Sequence, residues 1–230
     1  MRIAILMTNT DESTFSARHP KDGEKFATLI ARARPSWVTE VFSVKDEVFP
    51  AGPFGFDGAI ITGSPASVHD GAPWIARLET LVRGWHRVGV PLYGACFGHQ
   101  VIATALGGQV DANPGGWVLG AVETVEDGCP RAVHAAHTEQ VTGLPPGAQT
   151  IARTQGCPHA GYRIGTGIET TQYHPEITAP FMTALIEELA PRTGGAVANR
   201  ARDSLRFRPD QAAWAERIAR FFERASSARP

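Results

Sequence analysis

Residues 2–7 read RIAILM, a nearly continuous apolar run closed by the polar stretch from Thr8 to Ser13. A strand covered on both faces of a parallel sheet reads this way, because neither face meets water and alternation is lost. The period turns helical over 23–33 and ends near Pro35. WVTEVFSV alternates like a strand with one wet face, and FDGAIITGSP is a second buried strand running into a Gly-Ser-Pro turn. Ile75, Leu78, Leu81, Val82 and Trp85 recur at helical spacing before a stop at Gly89. VPLYGAC then predicts a strand and QVIATALGG a helix. From about Gly107 the pieces become shorter and strand-like: WVLGAVETV, QTIARTQ and AGYRIGTGIETTQYHPE. The helices APFMTALIEELA and RPDQAAWAERIARFFERA follow, the second with Trp214, Ile218, Phe221 and Phe222 on one face.

Strands alternating with helices imply an α/β sheet with crossover connections. The expected domain is a single unit over 1–230, with 191–230 a helical extension packed back on the core.

Composition narrows the function classes. Among 230 residues, 22 Lys plus Arg stand against 23 Asp plus Glu, a formal net charge of −1. That balance supplies no attraction to nucleic acid or an anionic membrane. No apolar run approaches the roughly 20 residues of a membrane span, and MRIAILMT turns polar too soon for a signal peptide. Three cysteines, an odd number, make no disulfide framework. The expectation is a cytoplasmic chain.

The chemistry concentrates in YGACFGHQ, residues 93–100. A strand ending in Gly-x-Cys-x-Gly and turning directly into a helix forms a nucleophile elbow. Glycines flank the corner because its backbone is crowded. The sulfur of Cys96 then sits at a helix N-terminus, whose partial positive charge favours thiolate. The amide of Phe97 can face a developing oxyanion. A buried structural cysteine in a glycine-rich turn is the competing reading. A thiolate needs a base, and the base an orienting group. His174 and Glu176 flank Pro175 and would share a side of an extended segment; the alternative is an ordinary surface turn. Gly63, at the end of the FDGAIITGSP strand, offers a second amide, or simply a βα turn. Cys129, His134, His137, Cys157 and His159 match no compact zinc spacing, so no metal is expected. NPGGWVLG lacks the Lys-Ser/Thr of a phosphate loop. Trp117 and Trp214 read as packing residues, with Trp117 also able to border a cleft, and His99 reads as a packing residue.

Gly63-Ser64-Pro65, the Cys96 elbow with Gln100, and His174-Pro175-Glu176 occur in an order and spacing that resemble the class I, triad-type glutamine amidotransferases. Within that family the chain is similar to the glutaminase domain of GMP synthetase and to stand-alone γ-glutamyl peptidases. The resemblance implies a flavodoxin-like, doubly wound, mostly parallel sheet with helices on both faces. It implies a Cys96–His174–Glu176 triad, oxyanion amides from Gly63 and Phe97, and a pocket at Gln100, Ala136, His137 and Thr138. It implies no cofactor. The substrate would be glutamine, with a synthetase partner on another chain receiving the ammonia, or a γ-glutamyl peptide hydrolysed without a partner; a non-catalytic binding protein with a relic cleft is the third reading. Ala136-His137-Thr138-Glu139 departs from the Ser-His-Gly-Asp of GMP synthetase-type domains, and threonine does not share glycine's freedom at positive φ.

Overall fold

The structure is a computed structural model that describes residues 1–126 and 128–228. In its first half, β1 (Arg2–Met7) leads through a short α1 (Thr14–Ala17) into α2 (Asp22–Ala33) and β2 (Val38–Ser43). Then follow β3 (Gly58–Ile61), α3 (Pro73–Arg87), β4 (Leu92–Ala95) and α4 (Phe97–Ala105). The second half contains β5 (Gln109–Ala112), β6 (Val118–Glu126), β7 (Cys129–His137), β8 (Glu139–Gly143), β9 (Ala148–Thr154), β10 (Cys157–Ile164) and β11 (Ile168–Thr171). Helices α5 (Ala179–Thr193), α6 (Gly195–Ser204) and α7 (Gln211–Ser227) close the chain.

The main sheet runs β2-β1-β3-β4-β11-β10-β9-β6-β7. Its first five strands are mutually parallel. The remaining four extend it antiparallel. Strands β5 and β8 pair separately. The long piece before His174 is therefore two strands: its Gly165–Gly167 turn folds β10 back onto β11, and β11 returns to lie parallel to β4.

Alternate residues of the parallel strands feed two cores. Ile3, Ile5, Ile60 and Tyr93 meet Phe26 and Ile30 of α2 and Ile218, Phe221 and Phe222 of α7. Ala4, Leu6, Ala59, Ile61 and Leu92 meet Ile75, Leu78 and Val82 of α3 and Val101 and Ile102 of α4. This explains the unbroken apolar runs, since both faces of β1, β3 and β4 are covered. It also shows that α7 forms part of one helical layer. Each of its fully buried large side chains contributes about 1.5–3 kcal/mol by leaving water. Arg34 on α2 bridges Glu216 and Glu223 of α7, a half-exposed network worth about 1 kcal/mol or less per pair.

The parallel strands put their carboxyl ends on one edge: Thr8 after β1, Thr62 and Gly63 after β3, Cys96 after β4, and Gln172 onward after β11. The chain reverses direction across the sheet between β1 and β3, and open α/β sheets leave a crevice at such a switch.

Candidate active site

Cys96 stands between β4 and α4 at φ 50°, ψ −107°. Such a backbone costs a non-glycine residue on the order of 1–3 kcal/mol. Its surroundings hold it there: the Cys96 amide donates to the Thr171 carbonyl at 2.9 Å, and the Gly98 amide to the Thr62 carbonyl at 3.0 Å. A Cβ at Gly94 would stand 2.5 Å from the Gly98 carbonyl oxygen, and one at Gly98 would run into the carbonyl of Ile61. The corner thus needs both glycines because strand and helix approach backbone to backbone. Helix α4 begins at Phe97, directly after the cysteine, three residues earlier than the apolar pattern suggests. The Phe97 side chain is buried against Trp74. Its amide, first in the helix, has no partner one turn back.

Gly63 sits against this corner. A Cβ on it would lie 2.6 Å from His174 Cε1 and 3.4 Å from Cys96 Cβ. The peptide linking Thr62 to Gly63 is held by its carbonyl, which accepts from the Gly98 amide and from the Thr8 hydroxyl, each at 3.0 Å. The Gly63 carbonyl in turn lies 3.0 Å from the Thr8 hydroxyl and 3.2 Å from that of Thr62. Both threonines are fully buried. Neither was picked out by motif, although the carboxyl-end rule points to the residue after β1.

His174 lies 8% exposed beyond β11. Its amide donates to the His134 carbonyl at 2.8 Å, a single antiparallel bridge to β7. The following residues turn rather than extend: the Ile177 amide returns to the His174 carbonyl at 3.3 Å. The turn, and not strand alternation, brings Glu176 back so that His174 Nδ1 donates to Glu176 Oε1 at 2.8 Å. That bond leaves Nε2 for proton exchange, and Nε2 is buried. Burial pulls the imidazole's pKa down, but the neighbouring Cys96 and the Glu176 carboxylate more than offset this. The ring is held well above its ordinary value.

Cys96, His174 and Gly63 line a cleft of about 770 Å³ together with Gln100, Ala136, His137 and Thr138. Glu176 lies behind His174, outside the lining. Gln100 Nε2 donates to the Glu139 carbonyl at 2.9 Å and to Gln172 Oε1 at 3.2 Å. His137 Nδ1 donates to the Glu139 carbonyl at 3.0 Å, so its buried Nε2 is a bare acceptor. Burial lowers His137 to about 4 and keeps it neutral near pH 7. Thr138 does not adopt positive φ; Glu47 and Cys96 are the non-glycine residues that do among those described. Threonine therefore carries no positive-φ strain at this position. The cleft continues outward past Trp117, Phe15, Lys25 and Lys45 to Phe181 and Leu185 of α5.

Other candidate residues lie apart from the cleft. Cys129 is exposed, and burial pushes the Cys157 thiol up to about 12. His99 is wholly buried, with Nδ1 2.8 Å from the Thr170 hydroxyl. Among the described residues no group of three or more His, Cys, Asp or Glu is placed to hold a metal. No described helix is long and apolar enough to cross a membrane.

A strained cysteine corner and a buried His–Glu pair thus meet in one cleft at the carboxyl edge of a doubly wound sheet. Residues 36–188 match the class-I glutamine amidotransferase family, and the chain belongs to it. It is 34% identical over 208 residues to a glutamine-hydrolysing GMP synthase of Alkalilimnicola ehrlichii, covering 77% of this chain and 34% of that protein. It is 30% identical over 140 residues to a glutamine amidotransferase-like protein of Schizosaccharomyces pombe, covering 56% of each. The chain thus spans about a third to a half of the length of these relatives. A solved glutamine amidotransferase from Thermotoga maritima shares the fold with a TM-score of 0.71 at 18% identity, covering 99% of this chain and 96% of that one. One from Methylobacillus flagellatus does so with a TM-score of 0.71 at 22% identity, covering 99% and 92%.

Proposed function

We propose that the chain hydrolyses the γ-glutamyl amide of glutamine, with Cys96 as nucleophile, His174 as proton carrier and Glu176 as the group that orients it. The observation that carries the reading is a single juxtaposition. A side chain at Gly63 would meet both the strained Cys96 and the His174 ring, and that ring is bonded through Nδ1 to a buried carboxylate. The thiolate attacks the γ-carbonyl, and the amides of Gly63 and Phe97 receive the developing oxyanion. The C–N bond breaks as His174 Nε2 gives its proton to the departing ammonia, leaving a γ-glutamyl thioester. Water then attacks the thioester, His174 takes its proton, the thiolate returns and glutamate leaves. Gln100 and the bare Nε2 of neutral His137 supply acceptors for the substrate's ammonium group. The released ammonia would pass to a synthetase partner, a reading supported by the relatives named glutamine-hydrolysing GMP synthase.

A second reading has its own support: the cleft continues past the Cys96 corner toward Phe15, Lys25 and α5. That room suits a γ-glutamyl amide with a larger amine, released in place of ammonia. Ammonia release from glutamine and amine release from γ-glutamyl dipeptides, measured on the isolated chain and on Cys96→Ala, separate the readings. Turnover of either class lost in the variant supports the thiol chemistry; turnover that survives Cys96→Ala rules it out.

A further inference from the structure

We infer that Gln211, the first residue of α7, is a positioning residue for the Glu176 carboxylate; this rests on the thiol reading above. The carboxylate is fully buried, its Oε1 is bonded to His174, and its Oε2 has no hydrogen-bond partner among the described residues. No other described side chain aims it, and its direction is set by the backbone of the turn that carries it. Two side chains from distant parts of the chain hold that backbone. Gln211 Nε2 donates to the Glu176 carbonyl at 3.3 Å and to the Ile177 carbonyl at 3.1 Å. His134 Nδ1 donates to the same Ile177 carbonyl at 2.9 Å.

Gln211 is itself fixed. Asp210 caps α7 through the Ala213 amide, and Trp214 Nε1 donates to the Ala132 carbonyl of β7 at 3.0 Å. Arg217 bridges Glu169 of β11 at 2.9 Å. The helix is thus tied to both strands that flank the His174 turn. These residues lie beyond the 36–188 segment that matches the family, so part of the geometry of the Cys96 site is supplied from outside that segment. The carboxylate is one of the groups that raise His174, the ring that lies beside Cys96. Loosening the Gln211 bonds should weaken that chain at its far end.

The test measures alkylation of Cys96 by iodoacetamide against pH, read by peptide mass spectrometry to separate it from exposed Cys129. Gln211→Leu and Gln211→Glu remove the donor at similar length, Gln211→Lys keeps one, and Ile218→Ala loosens α7 without touching these bonds. The expected result is about three- to ten-fold slower alkylation near neutral pH for the first two, the worth of one lost hydrogen bond. The difference should vanish at high pH, where thiols in general ionise without help from a neighbouring base. Gln211→Lys should restore most of the rate, and Ile218→Ala should lower the melting temperature without changing the profile. A wild-type profile in Gln211→Leu and Gln211→Glu, or the same altered profile in Ile218→Ala, overturns the inference. If His174→Ala leaves Cys96 alkylation unchanged, the thiolate–imidazolium reading itself fails and the inference falls with it.

Discussion

The corner at Cys96 and the turn at His174 face each other across one cleft but are held by different means. The corner is built from neighbours in sequence: a strand, a strained residue, a helix, and two glycines that admit the close approach. The turn is built from strangers. His134, Glu176 and Gln211 meet there from positions up to 77 residues apart, and the His174 amide is paired to a single residue of β7. A strained corner stores its geometry locally, whereas a turn held by scattered donors depends on the packing of the whole antiparallel half and of α7. Changes at the corner should therefore act on the rate directly, and changes around the turn should act through the charge of the imidazole.

The largest effects should fall on the groups that exchange electrons and protons. Cys96→Ala and His174→Ala should each lower kcat by about 10⁵-fold or more, measured as ammonia release from glutamine. Glu176→Gln should cost about ten- to a hundred-fold less than His174→Ala, because a loosely held imidazole still carries protons. It should also shift the pH profile, since the carboxylate is one of the groups that raises His174. An unmoved profile would dissolve the contrast between corner and turn.

Gly63→Ala joins the two regions, since its Cβ would press on the His174 ring at 2.6 Å. A loss of about 10²–10³-fold in kcat is expected, comparable with removing an oxyanion donor; a near-normal rate would show that neither the ring nor the amide is as closely set as described. Thr8→Val should be milder, about ten-fold in kcat with little change in KM, because it removes one buried hydroxyl donor from the peptide that aims the Gly63 amide. Thr8→Ser should recover the loss.

The smallest effect concerns stability. Burial lowers His99 to about 3 and His137 to about 4, against an ordinary 6.5. Between pH 6.5 and about 4 the unfolded chain binds more protons than the folded one, so these groups make stability fall as pH drops through that window. His174 carries the opposite sign: its raised pKa adds stability that is fully present below 6.5 and lost as pH rises through the folded value. Thermal melts from pH 7 down to 4 should show the decline. His174→Ala should leave its acid side in place, which separates the two kinds of buried histidine.

The elements that bury both faces were legible in the sequence, because a covered strand has to be apolar throughout and an amphipathic helix repeats every three to four residues. β1, β3, β4, α3 and α7 belong to this group. The Cys96 corner was legible for a related reason: a backbone at φ 50° with helix and strand in contact admits very few residues, and glycine is visible one position at a time. The His174–Glu176 pair was visible as neighbours, but the extended segment expected for them is a turn, since Pro175 is compatible with either and only the bridge to His134 decides. Thr8, His134 and Gln211 carried no motif at all. Their bonds run to backbone carbonyls, which every residue owns, so nothing in the recipient's side chain announces the donor. What the sequence by itself determined is the alternation of strands and helices and the Cys96 corner, both set by local sterics and by the exclusion of apolar surface from water. What only the tertiary structure decided is which distant donors hold the histidine turn, because that depends on where β7, β11 and α7 come to rest against one another.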